Sequence, residues 1–258
     1  LKETDLEEFL SVSVIIPAVN ETESLRENVE TVMRTCARED LEEILFVVCE
    51  KTTPECLKTI GGLMNAGAGL PMTLCRQKRP GIGPAIRESL DRVKAAHAVY
   101  LAADTDTDAA VVSAMIEAAK RRPAAIICAS RWLKGGGFEG YGRGRVVLNY
   151  LFQKMLQVLF FTRLTDLTYG YRLFPVKTLL SVTWEDDSFS FGMETSLKCL
   201  RLGCEFCEVP AVWRARCQGK SQNSPTAKLK YIGTVLKVRF ARADSFVNTV
   251  DGKAGKQR

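Results

Sequence analysis

The sequence predicts an α/β fold with a mostly parallel central sheet and helices on both faces, and three observations carry that prediction. Near-continuous apolar runs, rich in β-branched residues, alternate with helical patterns through about residue 130, as strands buried on both faces do. Polar and charged residues collect where those runs stop, which is where open parallel sheets bind ligands. A chain of 258 residues, 46% of them hydrophobic, is long enough to bury one large core.

The elements follow in order. SVSVIIPA, from Ser11, is the first strand, stopped by Pro17; Asn20-Glu-Thr-Glu then opens a helix through about Arg38. EILFVVCE leads to a helix from about Pro54, MTLCRQ to the helix of GIGPAIRESLDRV, and AVYLAAD to the helix of DAAVVSAMIEAAK. AAIICAS is the fifth strand. Asn20, Glu50, the loop from Arg76 to Gly83, Asp104 and Ser130-Arg131 therefore fall at the carboxyl ends of the strands. His97 begins the fourth strand at the opposite end and is assigned no catalytic role.

Beyond Arg131 the pattern changes. LKGGGFEGYGRGR reads as a flexible turn or as a lid over the strand ends. The apolar segment from Val146 to Phe161 carries Asn149, Gln153 and Gln157 at intervals of four, a narrow polar stripe on a core helix or on an interfacial one. In the second case Arg143, Arg145 and Arg163 would meet phosphate headgroups. Trp184-Glu-Asp-Asp reads as a solvated loop before a helix from about Ser188, and CEFCEVPAVW as a strand. A basic helix with Lys228, Lys230, Lys237 and Arg239 follows, with Leu229, Ile232 and Leu236 on one face. This divides the chain into a catalytic domain over 1–221 and a C-terminal amphipathic helix and tail over 222–258.

Composition narrows the partners. The net charge of +6 is gathered after residue 130 and suits phosphates, anionic lipid or nucleic acid. Nucleic acid is set aside because the basic residues are not interleaved with aromatic ones along one face. No run of about 18 apolar residues is present, so membrane contact is expected to be peripheral. Nine cysteines, an odd number scattered through strands and helices with no signal-peptide pattern ahead of them, read as reduced thiols of a cytoplasmic chain. Cys199, Cys204, Cys207 and Cys217 are the densest group, but alternation points Cys204 and Cys207 to opposite faces and away from a shared metal.

Asp104, Asp106 and Asp108 alternate with threonines after the fourth strand. Clustered carboxylates are unfavourable unless a cation or hydrogen-bond donors compensate. A D-x-D spacing there can offer two carboxylates to a hard divalent cation that also holds a diphosphate.

Six ordered signals carry a resemblance. IPAVNE, GIGPAI, the D-x-D, SRWLKGGG, DLTYGYRLF and EVPAVWRARCQGKS resemble the inverting family 2 glycosyltransferases of the GT-A (nucleotide-diphospho-sugar transferase) fold, from about residue 12 to 221. The spacing of SRWLKGGGFEGYGRGR is similar to that of the dolichol- and polyprenyl-phosphate mannose synthases. The resemblance implies a nucleotide-sugar donor such as GDP-mannose or UDP-glucose, Mg²⁺ or Mn²⁺, and a polyprenyl-phosphate acceptor at the cytoplasmic membrane face. It places Pro17, Ala18, Asn20 and Glu21 around the nucleotide, with Glu50 where the family carries an aspartate pair. Asp104, Asp106 and Asp108 match the donor-diphosphate and metal positions, and Arg131, Arg145, Arg216 and Lys220 the cations around donor and acceptor phosphates. Asp166 and Glu194 match acidic positions near the acceptor.

A lipid phosphate is already an anion and needs no general base, whereas a hydroxyl acceptor on a glycolipid or polysaccharide precursor would need Asp166 or Glu194 as base. Two departures stand out. Cys49-Glu50 replaces the aspartate pair, and Ala18 replaces an aromatic residue common in the mannose synthases. The first also admits a non-catalytic nucleotide-binding or membrane-docking module.

Overall fold

The computed structural model describes residues 8–66, 69–215 and 225–248. β1 (Val12–Pro17) lies in parallel between β2 (Leu41–Val48) and β4 (His97–Tyr100), and β2 pairs in parallel with β3 (Met72–Arg76). Alternate residues feed two core layers: Val14, Ile16, Ile44 and Phe46 face one, and Ile15, Leu45 and Val47 the other. This is why both strands read as nearly continuous apolar runs, broken by Ser13 in β1 and by Glu42 and Glu43 at the start of β2. Helices α1 (Glu23–Thr35), α2 (Pro54–Ala66), α3 (Ile82–Ser89) and α4 (Val111–Arg121) connect them and cover the two faces. The expected mostly parallel sheet with helices on both faces is the one observed, but β4 ends at Tyr100, four residues short of Asp104.

The second half is more irregular. β5 (Ile126–Ser130) is followed by β6 (Gly137–Glu139), α5 (Arg143–Phe160), β7 (Arg172–Pro175), α6 (Val176–Ser181), α7 (Phe191–Arg201), β8 (Phe206–Pro210), β9 (Val212–Arg214) and α8 (Pro225–Phe240). The main sheet runs β3-β2-β1-β4-β7-β5-β8, with β7 antiparallel to both neighbours, and β6 pairs with β9 in a small second sheet. Strand β7 is the one the sequence hides, because Arg172 stands in it. Its guanidinium is fully buried and donates to the carbonyls of Gly192 and Leu167, to Thr195 Oγ1 and to Cys128 Sγ.

Several expectations are corrected. The glycine-rich stretch is packed rather than loose: Gly137 opens β6, and a Cβ on Gly136 would press on the carbonyls of Ser130 and Ala211. Trp184-Glu-Asp-Asp is a loop solvated at Glu185 and Asp187 but tied down at its other two residues. Trp184 is buried with Nε1 on the Leu179 carbonyl, Glu185 pairs with Lys198 and Lys237, and Asp186 accepts from Ser188, Ser190 and Thr234. Those hydrogen bonds hold the Asp186 carboxyl below its ordinary value against the opposing effect of burial.

Cys204 and Cys207 do pack in opposite core layers, while Cys217 lies outside the described residues. Helix α8 turns Val235 and Val238 inward against Leu156 and Leu197, leaving Ile232 and Leu236 outside. The expected boundary at 221/222 falls in the stretch outside the described residues.

Candidate active site

The carboxyl ends of β1, β2 and β3 form the first wall. Past Pro17, Ala18 is buried with its carbonyl accepting from Thr52 Oγ1 at 2.9 Å, and Glu21 closes the turn by accepting from the backbone N–H of Val19 and Asn20 at 2.8 and 3.0 Å. Asn20 and Glu50 are exposed. Beside them Cys49, Glu50, Arg76, Gln77, Lys78 and Pro80 line an open cavity of about 140 Å³. A Cβ on Gly81 or Gly83 would overlap the carbonyl of Asp187 or Asp186, so these glycines of the GIG turn admit the 184–190 segment.

The D-x-D segment is held from three sides. Asn28 of α1 donates to the carbonyls of Ala102 and Asp104 at 2.9 and 2.7 Å, which fixes the chain as it leaves β4. Arg214 of β9 donates its backbone N–H to Asp106 at 2.7 Å, and Thr107 bridges to Trp213. Thr107 Oγ1 also meets the Tyr169 hydroxyl and donates to Asp106 Oδ1 at 3.3 Å. Asp108 is turned to other work, accepting from the Ala110 N–H at 2.9 Å with its second oxygen 3.8 Å from Arg214. Among the described residues no group of three His, Cys, Asp or Glu could hold a metal ion by itself. A Mg²⁺ or Mn²⁺ ion held here would need the oxygens of Asp104 and Asp106 to be completed by a bound diphosphate, a donor set such hard ions accept.

Arg131 dominates the opposite wall. Nε and Nη2 grip Asp166 at 2.7 and 2.9 Å, Nη2 reaches Thr168 at 3.2 Å, and the carboxylate is fully buried. Burial opposes the charge on Arg131, but the Asp166 carboxylate more than offsets it and raises the guanidinium pKa. The guanidinium lies 4.4 Å from the centroid of Tyr169 and 5.0 Å from that of Phe138. Phe138 stacks on Tyr141 at 5.3 Å, and Arg145 lies 5.4 Å over Tyr141. One stack of rings thus presents Arg131 and Arg145 along one wall.

Lys154 sits over Tyr150, and Trp132 and Trp213 touch the same rings. Cations and aromatics are therefore interleaved here, contrary to the expectation, and the exclusion of nucleic acid loses that ground. They come from segments far apart in sequence that only the fold unites.

Glu194 lies elsewhere. It is buried in α7, pairs with Lys198 at 2.7 Å and accepts from the backbone N–H of Glu185 and Asp186 at 3.0 Å each. Arg216 and Lys220 fall outside the described residues.

Four residues that the sequence did not assign to the site complete the wall. Tyr169 joins the D-x-D segment to Arg131; burial and then the Asp106 charge push its phenol up, so it stays protonated at neutral pH. Glu208 accepts from Thr165 and from the Asp166 N–H, Gln153 donates to Asp166 and Thr168, and Arg214 pairs with Glu139. The intervals of four around Gln153 were its one visible sign.

Two comparisons bear on this arrangement. The chain superposes on crystal structures of glucosyl-3-phosphoglycerate synthase from Mycobacterium tuberculosis. The complex with Mn²⁺, UDP and phosphoglyceric acid gives a TM-score of 0.66 at 16% identity, covering 90% of this chain and 80% of that one. The complex with Mg²⁺ and UDP gives 0.64 at 16% identity, over 89% and 79%. At that identity the likeness shows the shared GT-A fold. The sequence itself matches the family described as glycosyl transferase family 2 over residues 13–181. That span runs from β1 through the D-x-D segment and the Arg131 wall to α6, and by it the chain belongs to glycosyl transferase family 2.

Proposed function

We propose that the protein is an inverting glycosyltransferase that moves a hexose from a nucleotide sugar to a polyprenyl phosphate at the cytoplasmic face of a membrane. The observation that carries this is the Arg131–Arg145 wall, two guanidiniums on one ring stack beside a D-x-D segment. Both acidic candidates are already engaged, Asp166 by Arg131 and Glu194 by Lys198. A phosphate acceptor needs neither as a base, since its own oxygen attacks the anomeric carbon as the nucleoside diphosphate leaves from the opposite side. Asp166 then serves to aim Arg131, and Glu194 to hold the 184–190 segment.

On the donor side, Glu21, Asn20 and the cavity beside Glu50 and Arg76 receive the nucleoside, and Asp104 and Asp106 face its diphosphate. Bound Mg²⁺ or Mn²⁺ would neutralise charge on the departing diphosphate. The M. tuberculosis enzyme was crystallised with Mn²⁺ and UDP-glucose, which makes UDP-glucose the first donor to try and GDP-mannose the second.

The lipid half of the reading rests on α5. Val147, Leu148, Leu151, Met155 and Val158 are all exposed on it, with Ile232, Leu236 and Phe240 exposed on α8. Arg143, Arg145 and Lys154 are also exposed on α5, the combination of an interfacial helix. Among the described residues no helix is long and apolar enough to cross a membrane, so contact would be peripheral.

A second reading, transfer to a hydroxyl of a phosphorylated or glycolipid acceptor, is favoured by the phosphoglyceric acid in the M. tuberculosis complex. The deciding experiment supplies radiolabelled UDP-glucose or GDP-mannose with Mn²⁺ or Mg²⁺ to a polyprenyl phosphate in anionic vesicles, and separately to phosphoglycerate. An acid-labile glycosyl lipid of inverted configuration supports the first reading. Product on phosphoglycerate alone moves the assignment to the second, and no product with any donor returns the chain to a binding module.

A further inference from the structure

Helix α5 exposes apolar residues together with Arg143, Arg145 and Lys154, and carries one fully engaged amide inside. Gln153 is 1% exposed. Its Nε2 donates to Asp166 Oδ1 at 3.1 Å and to Thr168 Oγ1 at 2.7 Å, and its Oε1 accepts from the Leu167 N–H at 2.9 Å. The same Asp166 oxygen receives Arg131 Nη2, and Thr168 also accepts from Arg131. Asn149, one turn earlier, accepts from Trp132 Nε1 at 3.2 Å, so a second bond ties α5 to the residue after Arg131.

A buried amide could be bonded to backbone alone and serve the fold. This one is bonded to both partners of the guanidinium. One atom of the side chain, Nε2, ties Asp166 to Thr168, its Oε1 fixes the Leu167 N–H between them, and Asp166 and Thr168 together set the angle of Arg131. We infer that Gln153 is a positioning residue for anion capture, which couples the seating of α5 to the direction in which Arg131 faces its ligand. The inference rests on reading Arg131 as an acceptor-phosphate ligand and adds how that ligand is aimed. Glu208 supports the same assembly from β8 by accepting from the backbone N–H of Thr165 and Asp166 at 2.9 and 3.1 Å. It touches the loop and not the pair, so Gln153 is the sharper handle.

The test uses inorganic sulfate as probe, since it keeps two charges from pH 6 to 8. Sulfate-dependent thermal stabilisation is measured with UDP and Mn²⁺ present, and the part lost in Arg131→Ala is taken as the Arg131 site. Gln153→Met removes all the amide bonds. Gln153→Glu keeps an acceptor for the Leu167 N–H but loses the donor toward Asp166.

At pH 8 both variants should need about tenfold more sulfate for half the effect, since a hydrogen bond to a charged group is lost. The stabilisation by UDP and Mn²⁺ should stay at the wild-type value. Lowering the pH protonates a glutamate placed beside Asp166 and restores a donor, so Gln153→Glu should regain sulfate affinity toward pH 6 while Gln153→Met does not. A role confined to folding would not produce that pH dependence.

The inference is overturned by wild-type sulfate affinity in a folded Gln153→Glu at pH 8, by equal loss of the UDP response, or by no Arg131-dependent sulfate response in the wild type. Failure of lipid-phosphate transfer with these sulfate results intact would count against the acceptor assignment alone.

Discussion

In β1 and β2 the residues facing one helix layer, Val14, Ile16, Ile44 and Phe46, and those facing the other, Ile15, Leu45 and Val47, are apolar and no more than 1% exposed. The polar exception in β1 and β2 is the buried Ser13–Glu43 pair, whereas β7 and β8 set Arg172 and Glu208 into the sheet and the chain around them also buries Gln153, Asp166, Glu194 and Lys198. The half that carries the proposed donor site stands mainly on apolar area, which tolerates reshaping at a cost proportional to what is removed. The half that carries the proposed acceptor site stands on polar groups that satisfy one another, where losing one partner strands the rest. A charged side chain such as Arg131 is held still in a partly dry wall only by such a network.

The largest expected effect tests this difference directly. Lys198→Met leaves the Glu194 carboxylate, 2% exposed, without its buried cation, and should lower stability by about 3–5 kcal/mol in urea unfolding. Adding Glu194→Leu should recover part of that loss. In the donor half, Leu25→Ala and Ile60→Ala should each cost about 2–5 kcal/mol and combine without recovery. A double variant of the Lys198–Glu194 pair that is less stable than the worse single one would break the comparison.

Next comes chemistry carried on the donor half's loops. Asp106→Asn should reduce transfer by about 10²–10³-fold, with a melting midpoint near that of the wild type, because Asp106 takes no part in the core clusters. Retained turnover of this variant in the presence of a chelator would remove the D-x-D from the reaction.

A smaller effect lies at the seam between the halves. In Gly83→Ala the new methyl would meet the Asp186 carbonyl, pushing the 184–190 segment off α3, for about 1–3 kcal/mol of destabilisation. Wild-type unfolding of that variant would mean the two halves are not packed as rigidly as this close approach requires.

The same contrast decides what could be read from sequence. β1 to β5 were legible because apolar runs ended in turn residues, and Asp104 and Asp106 because carboxylates clustered where such a run stopped. Arg131 was legible only by resemblance. Gln153, Tyr169, Arg172 and Glu208 were not, since a polar residue bonded as far as 13 to 62 positions away looks in sequence like a surface one. The loop at 184–187 shows the same blindness in part: Trp184-Glu-Asp-Asp reads as solvated, and Glu185 and Asp187 are exposed, yet Asp186 is held by Thr234, 48 positions away. Strand β7 disappeared because a charged residue breaks the apolar pattern that identifies strands.

The smallest effect concerns the one histidine, which sits in the apolar half. His97 is fully buried at the start of β4, stacked 5.1 Å from Phe9, and its Nε2 donates to the Pro123 carbonyl at 2.8 Å while Nδ1 meets no hydrogen-bond partner among the described residues. Burial lowers its pKa below the ordinary 6.5, the bond to Pro123 opposing only in part. The unfolded chain therefore takes up a proton near pH 6.5 where the folded one does not, so stability is full above that pH and falls as the pH drops below it. His97→Phe keeps the stack but cannot titrate. Between pH 7.5 and 5.5 the melting midpoint of the wild type should fall more than that of His97→Phe, whatever their difference at pH 7.5. Equal falls would mean that the acid sensitivity resides in the carboxylates of the polar half, and the neutral ring in the apolar half would then carry no share of it.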